Sequence, residues 1–133
     1  MPPDVLSPGS PRDWLRHARS DLALARIPRT PEILLQALCF HAQQAAEKAL
    51  KAVLILQGVA PPRTHHIKTL LELLSSRVEI PSPVREAASL TDYAVMSRYP
   101  ALIEPVTEEE YHEAVKLAEA VISWAESLVN SPS

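Results

Sequence analysis

The chain has 133 residues, the size of one domain, and its hydrophobic fraction of 47% excludes an intrinsically disordered composition. Its formal net charge of −3 excludes the overall basic field that drives non-specific nucleic-acid binding, although a local basic patch remains open. The single cysteine, Cys39, cannot form an internal disulfide, and no apolar run reaches the about 18 residues that span a bilayer. With no signal peptide in the sequence, these features predict a cytoplasmic protein without a membrane segment.

Thirteen prolines and only two glycines divide the chain into helical segments, because an interior proline costs a helix about 3 kcal/mol. Residues 1–9 are rich in proline and small residues and are predicted to form a flexible arm. Ser10 has the features of an N-cap, with Pro11 following at the first helical position. The first helix is therefore expected from about Pro11 to Arg26.

A long second helix is predicted from about Pro31 to Gln57, with Thr30 as its cap and Gly58 as its stop. One side is mostly alanine and should be central in a bundle: Leu38, Ala42, Ala45, Ala46, Ala49, Val53 and Leu56. The other side carries His41, Gln43, Gln44, Glu47, Lys48 and Lys51, together with the apolar Phe40, Leu54 and Ile55. This mixture indicates a partly buried groove or a dimer interface, and the alternative is an ordinary solvated face.

The second half of the chain carries three more helix signals. Thr64 predicts the start of a short third helix, whose buried side is Ile67, Leu70, Leu71 and Leu74. A fourth helix is expected from Ser82 to about Ser97. Thr107 and Glu110 form a capping box for a last helix from about Glu108 to Val129.

No segment shows sustained strand alternation, so the sequence predicts an all-α fold. Short connections favour an antiparallel up-and-down bundle of about five helices over residues 10–129, with a tail at 130–133.

A series of short motifs follows the same order along the chain as in one known family. The motif residues are Trp14, Ala18, Asp21 and Leu22; Phe40, Gln43, Gln44, Glu47, Lys48, Lys51 and Ala52; Thr64 and His65; and Arg98, Tyr99 and Pro100. Over about residues 10–129 this series resembles the broad prokaryotic branch of the HEPN domain family. The resemblance implies a small helical bundle, of the four-helix type, that forms a homodimer and binds nucleotide or RNA. It also implies a separately encoded minimal nucleotidyltransferase as partner, in a toxin–antitoxin-like module.

Many HEPN domains are metal-independent ribonucleases that use an Arg-x(4–6)-His motif, with both protomers contributing to one cleft. Arg98 stands at the expected arginine position, but the next histidine, His112, lies too far along the chain. Arg12 and His17 match the spacing, but they lie on the first helix, and we attribute the match to chance. We therefore favour a binding function over an enzymatic one and leave enzymatic activity open. The alternatives are an RNA endonuclease toxin, with Arg98 stabilising the scissile phosphate, and a non-catalytic helical adaptor.

The candidate nucleotide- or RNA-binding residues are Gln44, Lys48, Lys51, His65, Arg98 and Tyr99. A guanidinium suits phosphate contact and a phenol suits base stacking, whereas the structural alternative places Arg98 and Tyr99 at a helix end. His65 and His66 could instead form local hydrogen bonds. A metal held by His41, His65 and His66 would need a further ligand, so we expect no metal and no cofactor.

Overall fold

Six α-helices and one 3-10 turn build the described part of the chain. The structure is a computed structural model that describes residues 7–96 and 105–131. The helices are α1 (Pro11–Ala25), α2 (Leu35–Leu56), α3 (Ile67–Ser75), α4 (Ser82–Glu86), α5 (Thr91–Met96) and α6 (Glu108–Val129), and the 3-10 turn (Ala87–Leu90) joins α4 to α5. Neither described range contains a strand. The all-α prediction is therefore confirmed, and α4, the turn and α5 together occupy the place of the predicted fourth helix.

The start of α1 follows the local signals in the sequence. Ser10 Oγ accepts a hydrogen bond from the Asp13 backbone N–H at 3.1 Å, and Pro11 occupies the first helical position. The Asp13 carboxylate in turn accepts from the Gly9 N–H at 3.0 Å. These bonds satisfy amides that a helix start would otherwise leave unpaired. The helix ends at Ala25, one residue before the predicted end.

The predicted start of α2 is wrong, because the helix begins at Leu35 and not at Pro31. The Thr30 carbonyl accepts from the Ile33 N–H at 3.0 Å and so closes a separate turn. Leu34 then adopts an extended conformation, with ψ of 138°, and no side chain caps the helix. The proline after Thr30 thus belongs to a turn, which has the same local preference for proline as a helix start.

The predicted end of α2 is confirmed. Gly58 has a φ of +77°, the left-handed conformation that a side chain disfavours. The Gly58 N–H donates to the Ile55 carbonyl and the Val59 N–H to the Leu54 carbonyl, both at 2.9 Å. This pair of bonds is the Schellman motif, which satisfies carbonyls that the helix end leaves open.

Helix α2 is the central element, and it packs most extensively against α1 and then against α6. The predicted alanine side is buried, except that Leu56 is exposed. Helix α1 runs antiparallel to α2, because Trp14 lies over Lys51 whereas Asp21 contacts His41. It also runs antiparallel to α6.

Helices α1 and α6 are joined along their length. The Tyr111 hydroxyl donates to the Ala25 carbonyl at 2.6 Å, and Arg19 Nε donates to Glu126 at 2.8 Å. A further ion pair joins Arg26 to Glu119. The ion pairs are exposed, so each contributes at most about 1 kcal/mol.

The start of α3 corrects the predicted role of Thr64. His66 is the N-cap residue, and Thr64 Oγ1 accepts from the His66 N–H at 3.1 Å, one residue before the helix. The first helical amide, Ile67 N–H, donates instead to Thr91 Oγ1 at 3.0 Å. A side chain from the start of α5 thus provides the acceptor that Thr64 was expected to supply. The predicted buried residues of α3 are buried as expected.

The predicted fourth helix is interrupted at Ala87–Leu90. A 3-10 turn has about three residues per turn, which places Ala87 and Leu90 on one face, and both side chains are buried. The tighter turn therefore lets two core residues face the bundle. The predicted end at Ser97 lies outside the described residues.

Helix α6 begins as predicted. Thr107 Oγ1 accepts from the Glu110 N–H at 3.1 Å, and the Glu110 carboxylate accepts from the Thr107 N–H at 2.9 Å. The predicted apolar face is buried at Ala114, Leu117, Ala118, Val121, Ile122 and Ala125, with Leu128 half-buried.

Candidate functional site

A polar cluster with three buried members and one exposed member, His65, lies where the middle of α2 meets the loop before α3. We call it the Glu47 cluster, and it comprises Gln43, Glu47, Lys51 and His65. The Glu47 carboxylate accepts from Lys51 Nζ at 2.9 Å and from Gln43 Nε2 at 3.0 Å, and its Oε1 lies 3.0 Å from His65 Nδ1. An ionised carboxylate only accepts hydrogen bonds, so His65 carries its hydrogen on Nδ1 in this contact.

The spacing of α2 builds three members of the Glu47 cluster. Gln43, Glu47 and Lys51 stand four residues apart and so share one face of the helix. All three are buried, and Lys51 lies 5.7 Å from the centre of the Trp14 ring on α1. These three residues of the polar side of α2 therefore do not form an ordinary solvated face. At these residues the cover is the chain's own α1 and the loop before α3.

The charges of the Glu47 cluster compensate one another. Burial alone would raise the pKa of Glu47, but hydrogen bonds from Lys51, His65 and Gln43 outweigh it and lower that pKa. Gln43 is fixed in orientation, because turning its amide would place Oε1 against the carboxylate. Its Nε2 also donates to the His65 carbonyl at 3.4 Å. The cluster thereby ties the loop before α3 to α2.

A second buried carboxylate lies nearby on α1. Asp21 accepts from Lys48 Nζ at 2.6 Å and contacts His41 Nδ1 at 3.1 Å. Asp21 was absent from the predicted site residues, although it is an acidic residue directly beside the apolar stripe of α1. That position was the available signal, because a buried carboxylate requires a partner.

Apart from His65, the predicted site residues fall into three groups. Lys48 and Lys51 each have their charge matched by a carboxylate of the same chain. Gln44 is half-buried, and its buried Oε1 has no hydrogen-bond partner among the described residues. Arg98 and Tyr99 lie outside the described residues. The ligand role of these residues stays a prediction.

His65 borders a pocket of about 290 Å³ at the start of α3. Its lining residues are Arg63, Thr64, His65, His66, Thr91, Ala94 and Val95. Every titratable side chain among these described lining residues is basic. The hydroxyl groups of Thr64 and Thr91 and the N-terminal end of α3 also favour an anion. We call it the α3 pocket. His65 was among the predicted ligand residues, whereas Arg63 was not.

A larger pocket, of about 550 Å³, lies between α5 and α6 and has the opposite electrostatic character. Its lining includes Asp92, Glu109, Glu110 and Glu113, which disfavour a phosphate ligand. Beneath this region, burial raises the pKa of the Cys39 thiol to about 11. The buried Cys39 side chain is therefore suited to packing and not to nucleophilic chemistry.

The formal Arg12–His17 match shows no sign of a catalytic arrangement. Both residues are exposed, and His17 Nε2 faces Asp13 at 3.7 Å. Arg12 lines a small pocket of about 210 Å³ near the end of α6, together with Arg16 and Arg19. This pocket is separate from the α3 pocket.

Among residues 7–96 and 105–131, no group of three or more His, Cys, Asp or Glu side chains is placed to hold a metal ion. No helix in these ranges is sufficiently long and apolar to cross a membrane.

Comparison with known proteins agrees with the helical bundle and with the order of its motifs. The family model described as HEPN domain matches residues 11–128. The chain belongs to the HEPN domain family. A HEPN relative in Methanocaldococcus jannaschii, named "Putative toxin MJ1304", is 29% identical over 125 residues, which cover 82% of this chain and 81% of the relative.

Three solved structures are also similar to this chain. TT1696 from Thermus thermophilus is 34% identical with a TM-score of 0.76, and the match covers 90% of this chain and 98% of that one. ST0689, described as an archaeal HEPN homologue, is 29% identical with a TM-score of 0.72 and the same two coverages. The HEPN domain protein TM0613 from Thermotoga maritima is 29% identical with a TM-score of 0.57, and the match covers 92% of this chain and 95% of that one.

Proposed function

We propose that this HEPN protein is a homodimeric, nucleotide- or RNA-binding component of a toxin–antitoxin-like pair whose partner is a minimal nucleotidyltransferase. The name of the M. jannaschii relative supports the toxin–antitoxin setting. The observation that carries the ligand class is the α3 pocket, whose titratable lining residues are basic in a chain of net charge −3.

The α3 pocket supplies the groups that recognise phosphate. Arg63 offers a planar guanidinium. The buried Glu47 holds His65 through Nδ1, and Nε2 of His65 lies on the opposite edge of the ring. We also propose that Arg98 contacts phosphate and that Tyr99 stacks on a base. Lys48 and Lys51 can reach a ligand only by giving up Asp21 and Glu47, so we propose a smaller contribution for them, beside Gln44.

Ligand binding can be tested with fluorescently labelled single-stranded RNA and with mononucleotides. An Arg63→Ala, His66→Ala double variant should bind at least about tenfold more weakly, since each contact of a charged group to phosphate contributes about 1.5–3 kcal/mol. Arg77→Ala, which removes an exposed arginine after α3, is the matched control. Unchanged affinity in the double variant contradicts the site, and no affinity for any RNA or nucleotide favours a non-catalytic adaptor.

The assembly has its own tests. Light scattering at micromolar concentration should give the mass of a dimer, and a monomer would contradict that part of the proposal. Co-expression with a minimal nucleotidyltransferase from a neighbouring gene should yield a complex that co-elutes in gel filtration. Separate elution would remove the proposed partner.

An RNA endonuclease is the second candidate, and the Glu47–His65 pair favours it. A carboxylate that orients an imidazole beside an anion pocket is an arrangement suited to general acid–base catalysis. In this case the purified protein cleaves RNA without added metal, and both His65→Asn and Arg98→Ala abolish cleavage. Intact RNA after incubation with the wild-type protein rules this candidate out.

A further inference from the structure

We propose that the α3 pocket is a subsite for a phosphate monoester, such as the terminal phosphate of an RNA chain or a mononucleotide. This inference deepens the proposed function, because it assigns a chemical class of ligand to that site. A phosphate monoester is a compact group with about two negative charges near pH 7 and three acceptor oxygens. An internal phosphodiester has one charge and two substituents that must leave in different directions.

The lining of the α3 pocket matches the compact dianion. Arg63, His65 and His66 supply positive or protonatable donors. No carboxylate stands among the described lining residues to repel the ligand. The volume of about 290 Å³ lies just below the usual range for small-molecule sites, about 300–1,000 Å³, which suits one phosphoryl group and part of a sugar.

Two threonine hydroxyls are oriented by the backbone at the same place. Thr64 Oγ1 accepts from the His66 N–H at 3.1 Å, and Thr91 Oγ1 accepts from the Ile67 N–H at 3.0 Å. A hydroxyl that accepts a hydrogen bond retains its own O–H as a donor. Each threonine can therefore donate to an oxygen of the ligand.

The buried Glu47 acts on the α3 pocket through His65. Because Glu47 Oε1 lies 3.0 Å from Nδ1, the ring is anchored on one edge, and Nε2 lies on the other. Protonation of Nε2 gives an imidazolium between Glu47 and the ligand, with a donor for each. Glu47 is in this sense a positioning residue, and it contacts no ligand itself.

The first test uses the five histidines of the chain as reporters. Imidazole resonances are followed by NMR as inorganic phosphate replaces chloride at constant ionic strength and pH 6.5. The proposal expects saturable shifts of His65 and His66, with no comparable shift of His17, His41 or His112. Arg63→Ala should raise the phosphate concentration at the midpoint of these shifts at least about fivefold, and Arg77→Ala should leave that concentration unchanged. Equal, non-saturating shifts of all five histidines would overturn the proposal.

The second test distinguishes sources of the phosphate. One RNA sequence is compared with a 5′-phosphate, a 3′-phosphate or two hydroxyl ends, beside the matching mononucleotide. Binding at least about tenfold tighter for one phosphorylated end supports the subsite and identifies the end. Equal affinity for every end overturns the subsite but leaves RNA binding intact. Phosphate binding at His65 and His66 without affinity for any RNA or nucleotide supports the subsite and contradicts the proposed function.

Discussion

Glu47 on α2 lies within 3.0 Å of His65 Nδ1 in the loop before α3, and this contact joins the interior of the bundle to the α3 pocket. The Glu47 side chain is only 4% exposed, whereas that of His65 is 50% exposed. The pair therefore has a buried end, which fixes its geometry, and an accessible end, which can meet a ligand. A change at Glu47 should affect both the stability of the fold and ligand binding in the α3 pocket.

Glu47→Gln should lower the free energy of unfolding by about 3 kcal/mol, because it leaves the buried Lys51 ammonium without its anion. Urea denaturation of the variant measures this loss. The double variant Glu47→Gln, Lys51→Met should recover most of it, since no unpaired charge then remains. The exposed Glu109→Gln serves as the control. A loss in the double variant as large as in the single one would contradict the explanation.

Glu47 should also contribute to the pH dependence of the free energy of unfolding. The pKa of Glu47 lies below its ordinary value of 4.5 in the folded state, so the folded protein binds this proton less readily than the unfolded chain. Its contribution is therefore present above pH 4.5 and is lost as the pH falls through the lowered pKa. As the pH falls from 6 to 3, the free energy of unfolding measured by urea denaturation should decline less for Glu47→Gln than for the wild-type protein. Parallel curves would show that other carboxylates dominate.

Thr91→Val should destabilise the protein by about 1 kcal/mol, because it removes the acceptor for the Ile67 amide at the start of α3. Thr69→Val, an exposed change within α3, controls for the loss of a hydroxyl and the added methyl group. Thermal unfolding followed by circular dichroism makes the comparison. Equal melting temperatures for the two variants would show that Thr91 is not an effective cap.

Gly58→Ala should cost about 1 kcal/mol through backbone strain alone. A Cβ at this position would meet no atom within 4 Å, but the φ of +77° is unfavourable for any residue with a side chain. Gln57→Ala, one residue earlier at ordinary φ, is the matched control. If the two variants unfold at the same urea concentration, the left-handed stop of α2 contributes less than the geometry indicates.

Local signals account for the parts of the fold that the sequence predicted. The Ser10 cap and the Thr107–Glu110 box each act within four residues, and the structure contains both. The start of α2 was predicted wrongly because Thr30 and Pro31 suit a turn as well as a helix. The hydrogen-bond acceptor for the first amide of α3 could not be predicted, since Thr91 and Ile67 lie 24 residues apart.

Local signals likewise predict only part of the geometry of the Glu47 cluster and the α3 pocket. The Glu47–Lys51 pair follows from spacing on one helix, but its burial depends on Trp14 from α1. The contact between Glu47 and His65 depends on the path of the loop before α3, which no local pattern specifies. Arg63 became a candidate only when the loop placed it beside both histidines.

The hydrogen bond between Tyr111 and the Ala25 carbonyl spans 86 positions of the chain and has a consequence for synthesis on the ribosome. Helices α1 and α2 are adjacent in sequence and can pair as soon as both have emerged. The side of α1 that contacts α6 must wait until α6 (Glu108–Val129) has been translated. Contacts this distant in sequence form slowly and leave apolar surface open in the meantime. The side of α1 that packs against α6 is therefore among the last parts of the described bundle to be covered.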